Sequence, residues 1–357
     1  MINCLKLNSS PHARRDSNIR AIMQQVLFAL CPATLFGVCV YGWSALFLFI
    51  ITVTAAVIFE AWCLQLAGKA VKTSLQDYSA VLTGWLIAMT LPPYAPWWIG
   101  VVGAGLAIVV GKHVYGGLGQ NLFNPAMLAR VGLLIAFPME MTTWVESQTL
   151  FSQALPSFSE SLRITFIGMD NIDAVSGATL LGHVKTELSQ NHLLPHSLDG
   201  LFNIPDAWLG LMRGSLGEGS LFLLTMGGFW LLHKGILRWY IPVSLLGTVF
   251  ILAMLFSVYD SSHYLSPMLH LGSGGLILAA FFIATDYVTS PNTPVGQIIF
   301  GIGCGVLIFV IRTWGAYPEG AGFAVLLMNS VTPLLDHYIR PRIYGRDNKG
   351  KPLEVVD

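Results

Sequence analysis

Residues 44–66 read Ser44-Ala-Leu-Phe-Leu-Phe-Ile-Ile-Thr-Val-Thr-Ala-Ala-Val-Ile-Phe-Glu60-Ala-Trp-Cys-Leu-Gln-Leu66, with Glu60 the one carboxylate or basic group in the stretch. A bilayer core about 30 Å thick takes about 20 mostly apolar residues per helix, so this segment is long enough to cross it. Working outward on the same scale, the first half of the chain holds further candidate spans at 21–42, 78–93, 97–112 and 121–137. A second group falls at 219–234, 239–258, 266–285, 295–313 and 321–337. That is ten predicted spans. Two are irregular: 78–93 ends in Pro92-Pro93, and 121–137 is interrupted by Asn124-Pro125.

Composition agrees with this reading. Of 357 residues, 54% are apolar and 36 are Gly, while only 11% are charged, against roughly 25% in soluble globular chains. So little charge cannot cover a water-soluble fold of this size. A net charge of zero gives no basic patch for nucleic acid. Cys4, Cys31, Cys39, Cys63 and Cys304 form no C-x-x-C pair, so zinc and iron–sulfur readings lack spacing support. The polar first 20 residues carry Lys6, Arg14, Arg15 and Arg20 and no small-residue cleavage site follows, so the first apolar run is expected to be retained as an anchor.

Charge placement orients the chain. With the N-terminus inside, 14 of the 19 basic residues, Lys112 among them, fall in inner segments. Only Arg163, Lys185 and Arg213 fall outside, and Arg130 and Arg312 lie within spans. The positive-inside rule then places both termini in the cytoplasm and the polar stretch 138–217 on the opposite face. The expected organisation is an inner tail (1–20), a first five-helix membrane unit (21–137), an outer loop (138–217), a second five-helix unit (218–337) and an inner tail (338–357).

The two units align without gaps over 100–131 and 300–331, matching Gly103 with Gly303, Gly105 with Gly305, Ile108 with Ile308, Val110 with Val310, Phe123 with Phe323 and Val131 with Val331. Five spans per copy would invert the second copy relative to the first, an architecture that places sites near the membrane midplane. The expected fold class is an all-α integral membrane protein of two inverted five-helix repeats.

In the outer loop, Asp173-Ala-Val-Ser176-Gly177-Ala178-Thr179 is a small-residue run that ends in a hydroxyl and is preceded by an acid. Small neighbours leave such a hydroxyl open to modification and let a planar group lie against the backbone. The same seven residues also fit a flexible Gly/Ser loop with no chemical role.

The segment resembles the attachment motif of flavin transferases, in which the Thr hydroxyl takes FMN through a phosphoester. Other motifs agree with it: Lys112-His-Val-Tyr-Gly-Gly-Leu-Gly-Gln-Asn-Leu-Phe-Asn-Pro-Ala126, Ala284-Thr-Asp-Tyr-Val-Thr289, Ala316-Tyr-Pro-Glu-Gly320, Pro333-Leu-Leu-Asp-His337 and Pro341-Arg-Ile-Tyr-Gly345. In this order they are similar to a family of flavin-bearing membrane subunits. It comprises the D subunit of Rnf-type ion-translocating ferredoxin:NAD oxidoreductases and the B subunit of sodium-translocating NADH:quinone reductases. The tails look closer to the former.

The resemblance implies covalent FMN on Thr179, with Asp173, Ser176, Gly177 and Ala178 as recognition context for the transferase. For the turn 116–119 with Asn121 and Asn124, it implies a second, non-covalent flavin (riboflavin); the residues alone fit equally a helix entry with Asn caps. Ionisable groups in or beside spans are functional candidates by default. Among them the resemblance links Asp77, Asp286, Glu319 and Asp336 to a cation path. Each also fits simple solvation or pairing, such as Glu319 with Arg312. Glu60, the deepest acid, takes no role from the family, and His113, His233 and His270 read as interfacial residues.

The expected function is electron transfer between flavins in a bacterial inner-membrane complex that moves Na⁺ or H⁺. With no NAD fingerprint in this chain, NADH and ferredoxin would react on partner subunits, and the chain alone would have no dehydrogenase activity. A ten-span channel or secondary transporter shares the repeats, broken spans and midplane acids, but does not need the Thr179 motif. A structural assembly subunit would bind no flavin.

Overall fold

The computed structural model describes residues 18–147, 155–168, 176–190, 192–194 and 204–339. Asp173 and the two tails lie outside them. The first half holds α1 (Ile19–Tyr41), α2 (Trp43–Leu66), α3 (Ser79–Thr90), α4 (Trp97–Gly105) running on as a π-helical stretch Leu106–His113, and α5 (Pro125–Ala136). The segment between the halves contributes a two-residue antiparallel ladder between β1 (Trp144–Val145) and β2 (Ser176–Gly177), a helix over Phe158–Phe166, and α6 (Leu180–Ser189). The second half holds α7 (Leu221–His233), α8 (Tyr240–Tyr259), a segment broken into Pro267–Leu271, Leu276–Leu278 and a π-helical Ala279–Ile283, then α9 (Pro294–Trp314) and α10 (Ala321–Tyr338).

Every predicted span therefore has a helical counterpart, but not at full length. Among the described residues, α1, α2, α8 and α9 are long and apolar enough to cross a membrane unaided. At 12 residues each, α3 and α5 reach only ~18 Å. Pro92-Pro93 follows the end of α3, and α5 begins only at Pro125, capped by Asn124. Between Leu271 and Leu276 the backbone leaves the helix at Gly272-Ser-Gly-Gly275. Irregular backbone at membrane depth is tolerated where protein buries it, and these segments adjoin the central core formed by residues of both halves.

Small residues set the helix spacing, as expected where lipid supplies no hydrophobic drive between helices. A Cβ on Gly103 would stand 2.9 Å from Leu133 on α5, and one on Gly303 would stand 2.6 Å from Met328 on α10. Gly105 faces Phe59 on α2, and Gly305 faces Thr248 on α8. Glycines matched by the sequence alignment thus meet the corresponding helices of each half. The segment between the halves folds back on the bundle: Phe158 packs against Trp43 and Phe47 at 5.5 and 5.4 Å. Leu180, Leu181 and Val184 of α6 share a small apolar cluster with Leu265 and Leu269.

Candidate functional site

Two cavities gather five of the predicted residues: Asn121, Asn124 and Asp286 line one, Thr179 and Glu319 the other. The first encloses about 870 Å³ of space, counting its open mouth, and both halves of the chain line it. Leu82, Leu86, Phe281 and Phe282 give it apolar walls, and Ser79, Lys112, Asn121, Asn124, Thr285 and Asp286 supply polar groups. Its size and this mixture suit a planar ring system with one polar edge. The two π-helical stretches border it: Lys112 comes from the end of one, Phe281 and Phe282 from the other. Such distortions are frequent at functional sites.

Asn124 has the part of the bland reading. Its Oδ1 accepts from Met127 N at 3.2 Å as the cap of α5, and its Nδ2 donates to Ile283 O at 3.3 Å across to the second half. Asn121 Nδ2 donates to Phe123 O at 3.2 Å. Asp286 is half-buried; one carboxylate oxygen accepts from Val288 N at 3.4 Å and the other from Thr289 Oγ1 at 3.2 Å.

Lys112 is not the inner-loop charge that its place in the sequence implies. Its side chain is 2% exposed, with Nζ 2.8 Å from Glu60 Oε1 and 2.8 Å from Ser79 Oγ. Ser79 in turn donates from N and Oγ to Asp77 Oδ1, at 2.8 and 2.7 Å. Asp77 is thereby tied through Ser79 and Lys112 to Glu60, the acid for which the family offers no role. His113 lies within this group, Nε2 being 3.1 Å from Glu60 Oε2, and its side chain is largely buried, 11% exposed. His270 is also buried, against Phe309, while His233 is exposed. A buried cation needs its counter-ion, and no local pattern marks a partner 52 residues away.

The second cavity is smaller, about 380 Å³, and is lined by Thr179, Arg213, Glu218, Ser273, Gly274 and Glu319 among others. The Thr179 hydroxyl is not in an open loop. The residue is 7% exposed and is the N-cap of α6, its Oγ1 accepting from Gly182 N at 3.2 Å. Ser176 and Gly177 just before it are held by the ladder to Val145 and Trp144. Ala178, between ladder and cap, is exposed.

Lys185, one and a half turns into α6, donates to Ile311 O at 3.0 Å and to Tyr317 O, fastening the helix to the end of α9 and the turn beyond it. Partial burial pulls its ammonium from the ordinary 10.5 down to about 8, because leaving water disfavours the charged form.

Glu319 pairs with Arg130 at 3.5 Å, and not with the expected Arg312. Arg312 instead donates to His270 O and Ser273 O, at 2.7 and 2.8 Å. Arg130 also lies over the Trp144 ring at 5.7 Å, so the ladder holding the Thr179 motif and the acid that lines the same cavity as Thr179 share one guanidinium. Gly274, at φ +65°, lies where a Cβ would meet both Glu319 and Arg312. Glu218, which no sequence motif singles out, accepts from Ser215 Oγ at 2.6 Å.

Asp336 joins neither cavity: its two oxygens accept from Asn292 N and Nδ2 at 3.0 and 2.9 Å. Among the described residues, no group of three or more His, Cys, Asp or Glu side chains is placed to hold a metal ion.

Residues 6–345 match the model of the NQR2, RnfD, RnfE family. The chain is 50% identical over 350 residues to the D subunit of the ion-translocating oxidoreductase complex of Halorhodospira halophila, covering 98% of each chain. The protein of the same name from Stutzerimonas stutzeri is 52% identical over 337 residues, 94% of this chain and 95% of that one. That from Rhodobacter capsulatus is 48% identical over 314 residues, 88% of this chain and 87% of its own.

Proposed function

The chain belongs to the NQR2, RnfD, RnfE family, and from that premise we propose that it is the membrane flavoprotein subunit of an ion-translocating oxidoreductase complex. In this reading it carries FMN on Thr179 through a phosphoester formed by a flavin transferase, and binds riboflavin in the larger cavity. It passes electrons between them while the complex moves Na⁺ or H⁺ across the bacterial inner membrane. The flavins supply the redox chemistry; the protein supplies position and surroundings. Both termini lie in the cytoplasm, the two halves are inverted repeats, and NADH and ferredoxin react on other subunits.

One observation carries this reading: the Ser-Gly-Ala-Thr run is held by the ladder so that Thr179 caps α6 at the wall of a polar cleft that Glu319 also lines. A phosphate on that hydroxyl would meet the first-turn N–H groups of α6, which favour negative charge, with Arg213 on the same cleft. Asp77, Asp286, Glu319 and Asp336 are the acids proposed for the cation path. Coupling requires that the redox state change cation affinity or access at such acids, because a cation indifferent to that state shifts nothing.

Intact mass of the purified subunit tests the attachment. One added FMN, with in-gel fluorescence that survives denaturation, is the expected result; an unmodified mass overturns it. Loss of extractable riboflavin in an Asn121→Leu, Asn124→Leu double variant that keeps FMN tests the second site.

A further inference from the structure

We propose that Lys112 is the side chain that recognises the polar edge of the ligand in the larger cavity, a role that no sequence motif assigns to it. The inference rests on the proposed riboflavin site and deepens it. An ammonium has three N–H donors. Among the described residues, that of Lys112 has two hydrogen-bond acceptors, Glu60 Oε1 and Ser79 Oγ, both at 2.8 Å. Lys112 is one of the residues lining the cavity and its side chain is 2% exposed, so the ammonium is desolvated and has one N–H left to give to a ligand there.

The two amides expected to serve the ligand are already engaged. Asn124 spends its oxygen on the α5 cap and one N–H on Ile283 O, and Asn121 gives an N–H to Phe123 O. Lys112 offers what they offer less well, since hydrogen bonds from an ionised donor are roughly twice as strong as neutral ones. Glu60 is the counter-ion of the buried ammonium, and Ser79, itself anchored to Asp77, fixes its direction. The chemistry selected is an acceptor edge, the carbonyl oxygens and ring nitrogens of the flavin pyrimidine ring, lying against apolar walls.

The test uses the assembled complex depleted of extractable flavin and reloaded with riboflavin. Lys112→Met alone would strand a buried carboxylate, so the variant is Lys112→Met combined with Glu60→Gln, checked for parent-like helicity. Riboflavin affinity is expected to fall about ten-fold. The infrared carbonyl bands of the bound flavin are expected to move toward their position in apolar solvent. Parent affinity in the folded variant overturns the proposal, as does weaker binding with unmoved carbonyl bands, which would make Lys112 purely structural. Should the variant not fold, the parent decides alone: bound-flavin carbonyl bands already at the apolar-solvent position overturn the assignment, and bands displaced from it support it. A parent complex that takes up no riboflavin overturns the cavity reading itself and this inference with it.

Discussion

Glu319 Oε2 stands 3.5 Å from Arg130 Nη2, an ion pair that joins the last helix of the first half to the turn before α10. Arg130 is buried and Glu319 partly exposed, so removing the acid leaves a cation short of compensation. Glu319→Gln is expected to cost about 2 kcal/mol, below the roughly 3–5 kcal/mol of a fully buried pair. Thermal unfolding in detergent measures this. Combining it with Arg130→Met should cost less than the two single changes summed; strict additivity would show that the two side chains do not interact.

Thr179→Ala removes the attachment hydroxyl and the cap of α6 together. Covalent flavin is expected to vanish, and loss of the cap to cost about 1 kcal/mol. Thr179→Ser keeps both an ester-forming hydroxyl and the cap acceptor, so it should retain local stability and regain flavin at least in part. Hydrogen exchange at Gly182, together with in-gel fluorescence, separates the two effects. Fluorescence persisting in denatured Thr179→Ala protein would place the flavin elsewhere.

Asp286 and Asp336 should behave differently when neutralised. Asp286 faces the larger cavity, and Asp286→Asn is expected to weaken the cation dependence of turnover by about ten-fold, from a Coulomb loss of about 1–2 kcal/mol at an effective dielectric near 20. Asp336 holds Asn292 with both oxygens, so Asp336→Asn should cost about 1 kcal/mol of stability with a smaller change in cation dependence. Titrations against Na⁺ and against pH in membrane vesicles measure both. Equal responses of the two variants would overturn the distinction.

Lys185 makes stability depend on pH in a defined direction. Its folded pKa of about 8 lies below the ordinary 10.5, so between those values the unfolded chain binds more protons and stability rises with pH. The burial penalty is fully present below about pH 8 and is relieved as pH approaches 10.5. Relative to Lys185→Gln, the parent is therefore expected to gain melting temperature from pH 8 to 10. A constant difference across that range would mean that the amine titrates normally.

Orientation is tested by cysteines introduced at positions 150 and 346 in a background lacking the native thiols. An impermeant reagent on spheroplasts is expected to label 150 and not 346. The opposite pattern would invert the expected membrane topology.

The helices are legible in the sequence because twenty apolar positions in a row are a local signal, and Asn124-Pro125 and Pro92-Pro93 mark where two of them stop short. Pairings are not legible. Lys112 sits where a span gives way to polar sequence, so by pattern it reads as a loop charge; only packing of α2 against the π-helical stretch reveals Glu60 as its partner. Thr179 and Glu319 stand 140 positions apart, and no periodicity announces that they share a cleft. Residue types alone pick out the Thr179 motif, but its small neighbours suggest an open hydroxyl. In the fold the backbone of Ser176 and Gly177 pairs with Val145 and Trp144, and the Thr179 hydroxyl is taken up as the cap of α6.

The distance along the chain between paired charges has a consequence for biogenesis. Glu60 and Lys112 both belong to the first half, so their pair can close while the ribosome is still translating the segment between the halves, and those helices can enter the bilayer with that charge already neutralised. Among the described residues Arg130 has no such early ion pair: Glu319 emerges 189 residues later, after four of the predicted spans and the whole segment between the halves. Until then its guanidinium has the Trp144 ring and Met141 sulfur for company. The late-arriving carboxylate adds an ion pair to the apolar core that already joins the two halves. A chain truncated before Glu319 would keep its first charge pair and lose its second, leaving a cation without its ion-pair partner in the middle of α5 for membrane quality control to recognise.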